Sequence, residues 1–275
     1  MSSTPRPQTL AASADMPARR GRAARRRTAT RVAAFALCAL VAPAAGAHAD
    51  TDRVTRVVTL EPGGTLKLKT FSGRVTITGS DRRDVAIDAV RRAPRDRLDR
   101  ITLDIHTEGS TVVVDANHRD HWSWSDRNNV VETDFEISVP AHTNLDVTGF
   151  SSPITVTGVE GSHNVRTCSS KLTLDDVAGP VKAHTFRGPV EIRLKGWQDR
   201  QTIEVDTFSG SIALHVPDAA RGSVSFSSFS GRLTSEMPLM LRTSGRRAVR
   251  ATLGGSDAGG SIALKTFSGN ARIDR

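Results

Sequence analysis

Apolar and polar residues alternate in short runs along most of the chain beyond residue 50, and each run switches parity at a recurring point. Leu66 and Leu68 lead into Thr70, Val181 and Ala183 into Thr185, Ile203 and Val205 into Thr207, and Ile262 and Leu264 into Thr266. A few residues later the apolar positions fall on the other parity, at Val75 and Ile77, Val190 and Ile192, and Ile212 and Leu214. Period-two alternation predicts strands buried on one face. A parity switch at the same place each time predicts a bulge or corner that turns the chain while its apolar face stays inward.

The switch coincides with a four-residue motif: Thr70-Phe71-Ser72-Gly73, Gly149-Phe150-Ser151-Ser152, Thr167-Cys168-Ser169-Ser170, Thr185-Phe186-Arg187-Gly188, Thr207-Phe208-Ser209-Gly210, Ser228-Phe229-Ser230-Gly231 and Thr266-Phe267-Ser268-Gly269. The second residues are separated by 79, 18, 18, 22, 21 and 38 positions. A period near 20 is the mark of stacked coils that bury their apolar faces against one another. The last spacing is close to two such units, with Thr243-Ser244-Gly245 as a worn copy between, and the first is close to four. The expected fold is all-β, a parallel β-solenoid of about 18–22 residues per coil, with a β-sandwich-like arrangement as the alternative. Phe71, Phe150, Phe186, Phe208, Phe229 and Phe267 are then corner residues, read here as an inward stack at about 4.8 Å per coil. Cys168 takes the phenylalanine slot of its copy and is expected to behave as a small buried hydrophobe, not a nucleophile.

Residues 50–139 fit the repeat less well. Runs at Val54–Leu60, Val85–Ala89, Ile101–His106, Thr111–Asp115 and Val130–Val139 read as strands, with a hairpin turn at Thr107–Ser110 and a charged helical turn or loop over Arg91–Arg100. They predict an antiparallel meander capping a repeat region over 140–275, either as a separate domain or continuous with it.

Residues 1–49 read as a leader. Arginines cluster from Arg19 to Arg31, the uncharged Val32–Ala47 follows, and Ala47-His48-Ala49 gives a small-x-small site, placing cleavage before Asp50. Met16 is an alternative start. The full chain has 38 Lys+Arg against 29 Asp+Glu, but the leader holds eight arginines and one aspartate, which leaves 30 against 28. The basic balance therefore belongs to the leader, and the remainder has no charge excess for nucleic acid. The apolar run is shorter than the ~20 residues of a membrane span, and no second one follows. Cys168 is the single cysteine after the leader and has no disulfide partner there. The expected location is periplasmic or extracellular.

The order VETDFEISVP, then NLDVTGFSSPITVTGVEG, then repeated strand–Gly–strand units resembles a family of bacterial β-strand-repeat proteins grouped as putative adhesins or as a domain of unknown function. The resemblance implies a cell-envelope setting and supplies no catalytic motif. This chain departs from it in using phenylalanine at the corners.

One polar loop stands out, His118 to Asp126, with Trp122 and Trp124 between two strand-like runs. Its tryptophans could stack on sugar rings, with His118, His121 and Asp126 beside them, or fold back over the meander. An H-x-x-H pair is weak evidence of a metal site, and neither metal nor cofactor is expected. The outward serines of the motif suit bonds to corner backbone, and repetition argues against one catalytic serine among them. These features predict a non-enzymatic envelope protein that binds a cell-wall polymer, a surface glycan or another envelope protein. The alternatives are a polysaccharide-active β-helix enzyme, for which carboxylates are too dispersed, and an assembly protein. An open C-terminal coil at Asn270–Arg275 would favour assembly by strand addition.

Overall fold

The computed structural model describes residues 49–118, 130–245, 247–255 and 259–275. They form an all-β molecule of two large mixed sheets, neither closed on itself, of eleven and ten strands.

In the first sheet β2 (Thr65–Ser72), β8 (Asn144–Ser151), β10 (His163–Ser169), β12 (Val181–Arg187), β14 (Thr202–Ser209), β20 (Gly260–Thr266) and β16 (Gly222–Ser228) lie side by side in that order, all parallel. In the second, β3 (Val75–Ser80), β9 (Ile154–Thr157), β11 (Leu172–Val177), β13 (Val190–Leu194), β15 (Ile212–His215), β21 (Ala271–Asp274) and β17 (Leu233–Ser235) do the same. Each strand of the first sheet passes through one copy of the motif into the matching strand of the second. The core lies between the sheets. One row is Leu68, Val147, Val165, Ala183, Val205, Leu264 and Phe226, and Ile77, Val156, Leu174, Ile192, Leu214 and Ile273 belong to the same cluster.

Residues 50–139 do not make a simple meander. The pairs of β1 (Asp50–Thr59) with β4 (Asp84–Ala93), of β4 with β7 (Glu132–Pro140), and of β5 (Thr102–Glu108) with β6 (Thr111–His118) are antiparallel, and the expected turn joins β5 to β6. Yet β6 runs parallel to β2 and β7 parallel to β3, so these strands extend the same two sheets. Arg91, 5% exposed, ties the short helix α1 (Arg95–Arg100) to β4: it reaches the carbonyls of Leu98 and Ile101 and pairs with Asp52 at 2.8 Å.

Two spacings differ from the sequence expectation. The 79-residue interval places no coil between β2 and β8, because the two pair directly and the intervening chain makes an excursion. Thr243-Ser244-Gly245 is no worn coil either: Thr243 and Ser244 belong to β18 (Leu239–Ser244), in an antiparallel pair with β19 (Ala248–Leu253) at the sheet edge. The C-terminal segment also departs from expectation. After β14 and β15 the chain skips one layer to make β16 and β17, turns through β18 and β19, and returns to insert β20 and β21 into the space left. The last residues are therefore paired on both sides and offer no open edge for strand addition.

Candidate functional site

The motif places its first residue inward and its second outward. Thr70, Thr167, Thr185, Thr207 and Thr266 are all buried, because the strand keeps its first parity through the motif. Some satisfy their hydroxyls locally: Thr185 Oγ1 donates to the Arg187 carbonyl at 3.2 Å, and Gly231 N–H donates to Ser228 Oγ at 2.6 Å. The parity switch falls after the third residue, where Gly73 takes φ +100° and Gly188 φ +134°. At Gly210 the demand is steric instead, since a Cβ there would press into the Gly188 carbonyl of the adjacent layer.

The phenylalanines consequently face solvent, which corrects the expectation of an inward stack. Phe71 is 39% exposed, and Phe150, Phe186, Phe208, Phe267 and Phe229 lie between 42% and 53%. They do stack at the expected spacing. Ring centroids are 4.7 Å apart for Phe71–Phe150, 4.8 Å for Phe186–Phe208 and for Phe208–Phe267, and 4.9 Å for Phe229–Phe267, with planes within 16° of parallel. The rings stand like coins in a roll, faces against one another and edges to solvent. Arg247 covers the outer face of Phe229 at 4.5 Å.

Cys168 is the one interruption. The register offset of 18 residues on either side of β10 sets it between Phe150 and Phe186. Its side chain is half-exposed, and the core placement expected from sequence does not hold. Phe150 and Phe186 thus lie roughly 9.6 Å apart, two strand spacings, with only a short thiol between them. Arg187 approaches the Phe186 ring at 5.6 Å.

Beside the ladder, two positions earlier on each strand, runs a polar row in the spatial order Lys69, Thr148, Arg166, His184, Asp206, Lys265 and Ser227. Charges alternate partly along it and along the next row. Arg166 approaches Asp146 at 3.8 Å, Lys182 approaches Glu204 at 3.3 Å, and His184 approaches Asp206 at 4.0 Å. A shallow groove of about 500 Å³ follows the ladder from His184 and Phe186 to Phe229 and Arg247.

His163 is a different kind of histidine. It stands in the inward row between Leu145 and Val181, 1% exposed, with Nε2 3.2 Å from the Ala178 carbonyl. Burial holds its imidazole below the ordinary histidine range, and the hydrogen bonds to backbone only partly offset this. His184 is exposed and His215 half-buried, with Nδ1 3.3 Å from the Arg275 carbonyl.

Of the residues expected from the tryptophan loop, His118 ends β6 and is exposed, whereas His121, Trp122, Trp124 and Asp126 lie outside the described residues. Among the described residues, no three metal-ligating side chains cluster, and no helix is long and apolar enough to cross a membrane.

No family model and no curated protein sequence matches the chain. Similar solved structures include a putative cell adhesion protein from Clostridium sporogenes, at 10% identity and TM-score 0.44, covering 81% of this chain and 99% of that one. A putative adhesin from Bacteroides fragilis matches at 13% identity and TM-score 0.31, over 81% of this chain and 97% of that one. A putative lipid binding protein from Parabacteroides distasonis matches at 9% identity and TM-score 0.32, over 82% and 97%.

Proposed function

We propose that the chain is a non-enzymatic binding module of the cell envelope, exported by residues 1–49, and that the phenylalanine ladder is its contact surface. In this reading residues 50–275 form one continuous body, a parallel β-solenoid whose regular layers hold the rings in line. The observation that carries the proposal is the exposure of six large aromatic side chains in a single row. At ~200 Å² for a phenylalanine, their exposed fractions amount to roughly 550 Å² of aligned apolar surface, broken once at Cys168, near the upper end for a soluble monomer. Isolated exposed hydrophobes need no explanation; an aligned row of this size does.

Ring orientation bears on the partner. Stacking on sugars uses the ring face, and here, outside the notch at Cys168, the faces are taken up by neighbouring rings. The exposed edges form a straight apolar ridge flanked by charges, which suits an envelope protein better than a bare cell-wall polymer or surface glycan. A glycan contact, if the chain makes one, belongs to Trp122 and Trp124.

The test is co-sedimentation of the purified chain with separated envelope fractions, beside a Phe186→Ser/Phe208→Ser variant and a Trp122→Ala/Trp124→Ala variant. Saturable binding that the ladder variant loses and the tryptophan variant keeps supports the proposal. Binding that survives loss of the ladder removes it.

A further inference from the structure

We infer that the partner of the ladder is the ladder of a second copy, packed face to face about a two-fold axis that runs along the strands through Phe186. The inference rests on the reading of the ladder as a contact surface and names what meets it.

Three features of the surface point to a second copy. The first is pitch. A ridge repeating every 4.7–4.9 Å is commensurate with a surface of the same strand spacing, and another copy supplies one over the full length. The second is area: two such ridges bring together roughly 1,100 Å² of apolar surface, which with the flanking rows reaches the size of a specific interface.

The third is complementarity at one pair of rungs. The proposed axis reverses the order of layers, so the rung two strands from the axis on one copy faces its counterpart on the other side of the axis. Phe71 meets Phe229, Phe150 meets Phe267, and Cys168 meets Phe208. That last pair matches in shape and charge at once. Cys168 is the only rung with room for a ring from outside, and a Phe208 ring leaning into the notch would lie between the faces of Phe150 and Phe186. Beside Cys168 stands Arg166, and beside Phe208 stands Asp206, so each crossing places a cation opposite an anion. The symmetry makes this contact twice. Like charges meet only at the axis, where Lys182 is already matched by Glu204 of its own chain, His184 lies 4.0 Å from Asp206 of its own chain, and Arg187 rests 5.6 Å from its own Phe186 ring. An axis along the ladder would instead set Cys168 against Cys168 and leave both notches empty.

The geometry is tested by disulfide trapping in a Cys38→Ala background, with oligomeric state followed by sedimentation equilibrium. Within one chain, residues 168 and 208 lie roughly 9.6 Å apart, beyond the reach of a disulfide. A Phe208→Cys chain is expected to cross-link into dimers under mild oxidation through Cys168, and the parent chain is not. Arg166→Asp or Asp206→Arg alone should weaken self-association roughly tenfold, and the two together should restore it. The inference falls if the parent cross-links through Cys168 as readily as the variant, if dimers form without trapping at 208, or if the charge exchange fails to rescue. A chain that stays monomeric yet binds the envelope fraction through its ladder also sinks it, and leaves the proposed function standing. A monomer that binds nothing removes both.

Discussion

Filling the notch should stabilise the fold. Cys168→Phe restores the residue found at the other six copies of the motif, on a strand whose neighbours already hold their rings upright. The new ring would sit about 4.8 Å from both Phe150 and Phe186, the strand spacing, and so make two stacked pairs like those along the rest of the ladder. Such a pair contributes about 0.5–1.5 kcal/mol beyond area burial, giving about 1–3 kcal/mol for two. Ordering the new side chain costs part of this, on the order of 1 kcal/mol, which leaves up to about 2 kcal/mol. For a body of this size each kcal/mol raises the melting midpoint by about 2–4 °C. The assay is thermal unfolding by far-ultraviolet circular dichroism, under reducing conditions and at a protein concentration too low for self-association. Cys168→Ser serves as control for loss of the thiol and should change the midpoint little. A Cys168→Phe chain that melts at or below the parent would refute the reasoning, because it would mean the position does not present its side chain in line with the rings.

Three further outcomes follow from the packing. Gly210→Ala should cost about 3 kcal/mol or more, read as a lowered urea midpoint, because its Cβ would press into the Gly188 carbonyl; Gly196→Ala, with open space around it, should be nearly silent. Stability should fall with acid on account of His163. Its folded-state pKa lies below the unfolded value of about 6.5, so its stability contribution is complete above that pH and is lost as pH falls toward the folded value. His106, raised by Glu108 and Asp104, acts with the opposite sign, so the comparison is with His163→Val, whose stability should decline less between pH 6.5 and 5 than the parent's. Deleting residues 260–275 removes β20 and β21 from between their neighbours, and hydrogen exchange should then show β16 to β19 unprotected while β8 to β13 stay protected.

Much of this architecture could be read from the order of residues, and the parts that could not have definite causes. Alternation located the strands, and the motif located the corners, because a half-buried strand writes its burial directly into sequence. The direction of the phenylalanines differs from the sequence expectation through a one-residue ambiguity. Phe71 shares the parity of Val75, so a switch placed directly after Thr70 turns it inward. The strand in fact continues to Ser72 and the switch occurs at Gly73. A buried threonine beside an exposed phenylalanine inverts the ordinary hydrophobic preference, and periodicity alone does not reveal that. The spatial order of layers was equally hidden: the sequence counts coils along the chain, but only pairing shows that β20 enters between β14 and β16. The tryptophan loop, the most conspicuous candidate by composition, lies mostly outside the described residues, and the ladder was visible in sequence only as a structural repeat.

The most direct measurement of the central claim is hydroxyl-radical footprinting of the ladder, read by mass spectrometry at each phenylalanine, for the chain at low concentration and for the chain bound to its envelope fraction. Phe150, Phe186, Phe208 and Phe267 should be oxidised in the free chain, in contrast to the buried Phe135 and Phe226, and protected on binding. Ladder rings as unreactive as Phe135 in the free chain, or equally reactive free and bound, would contradict it.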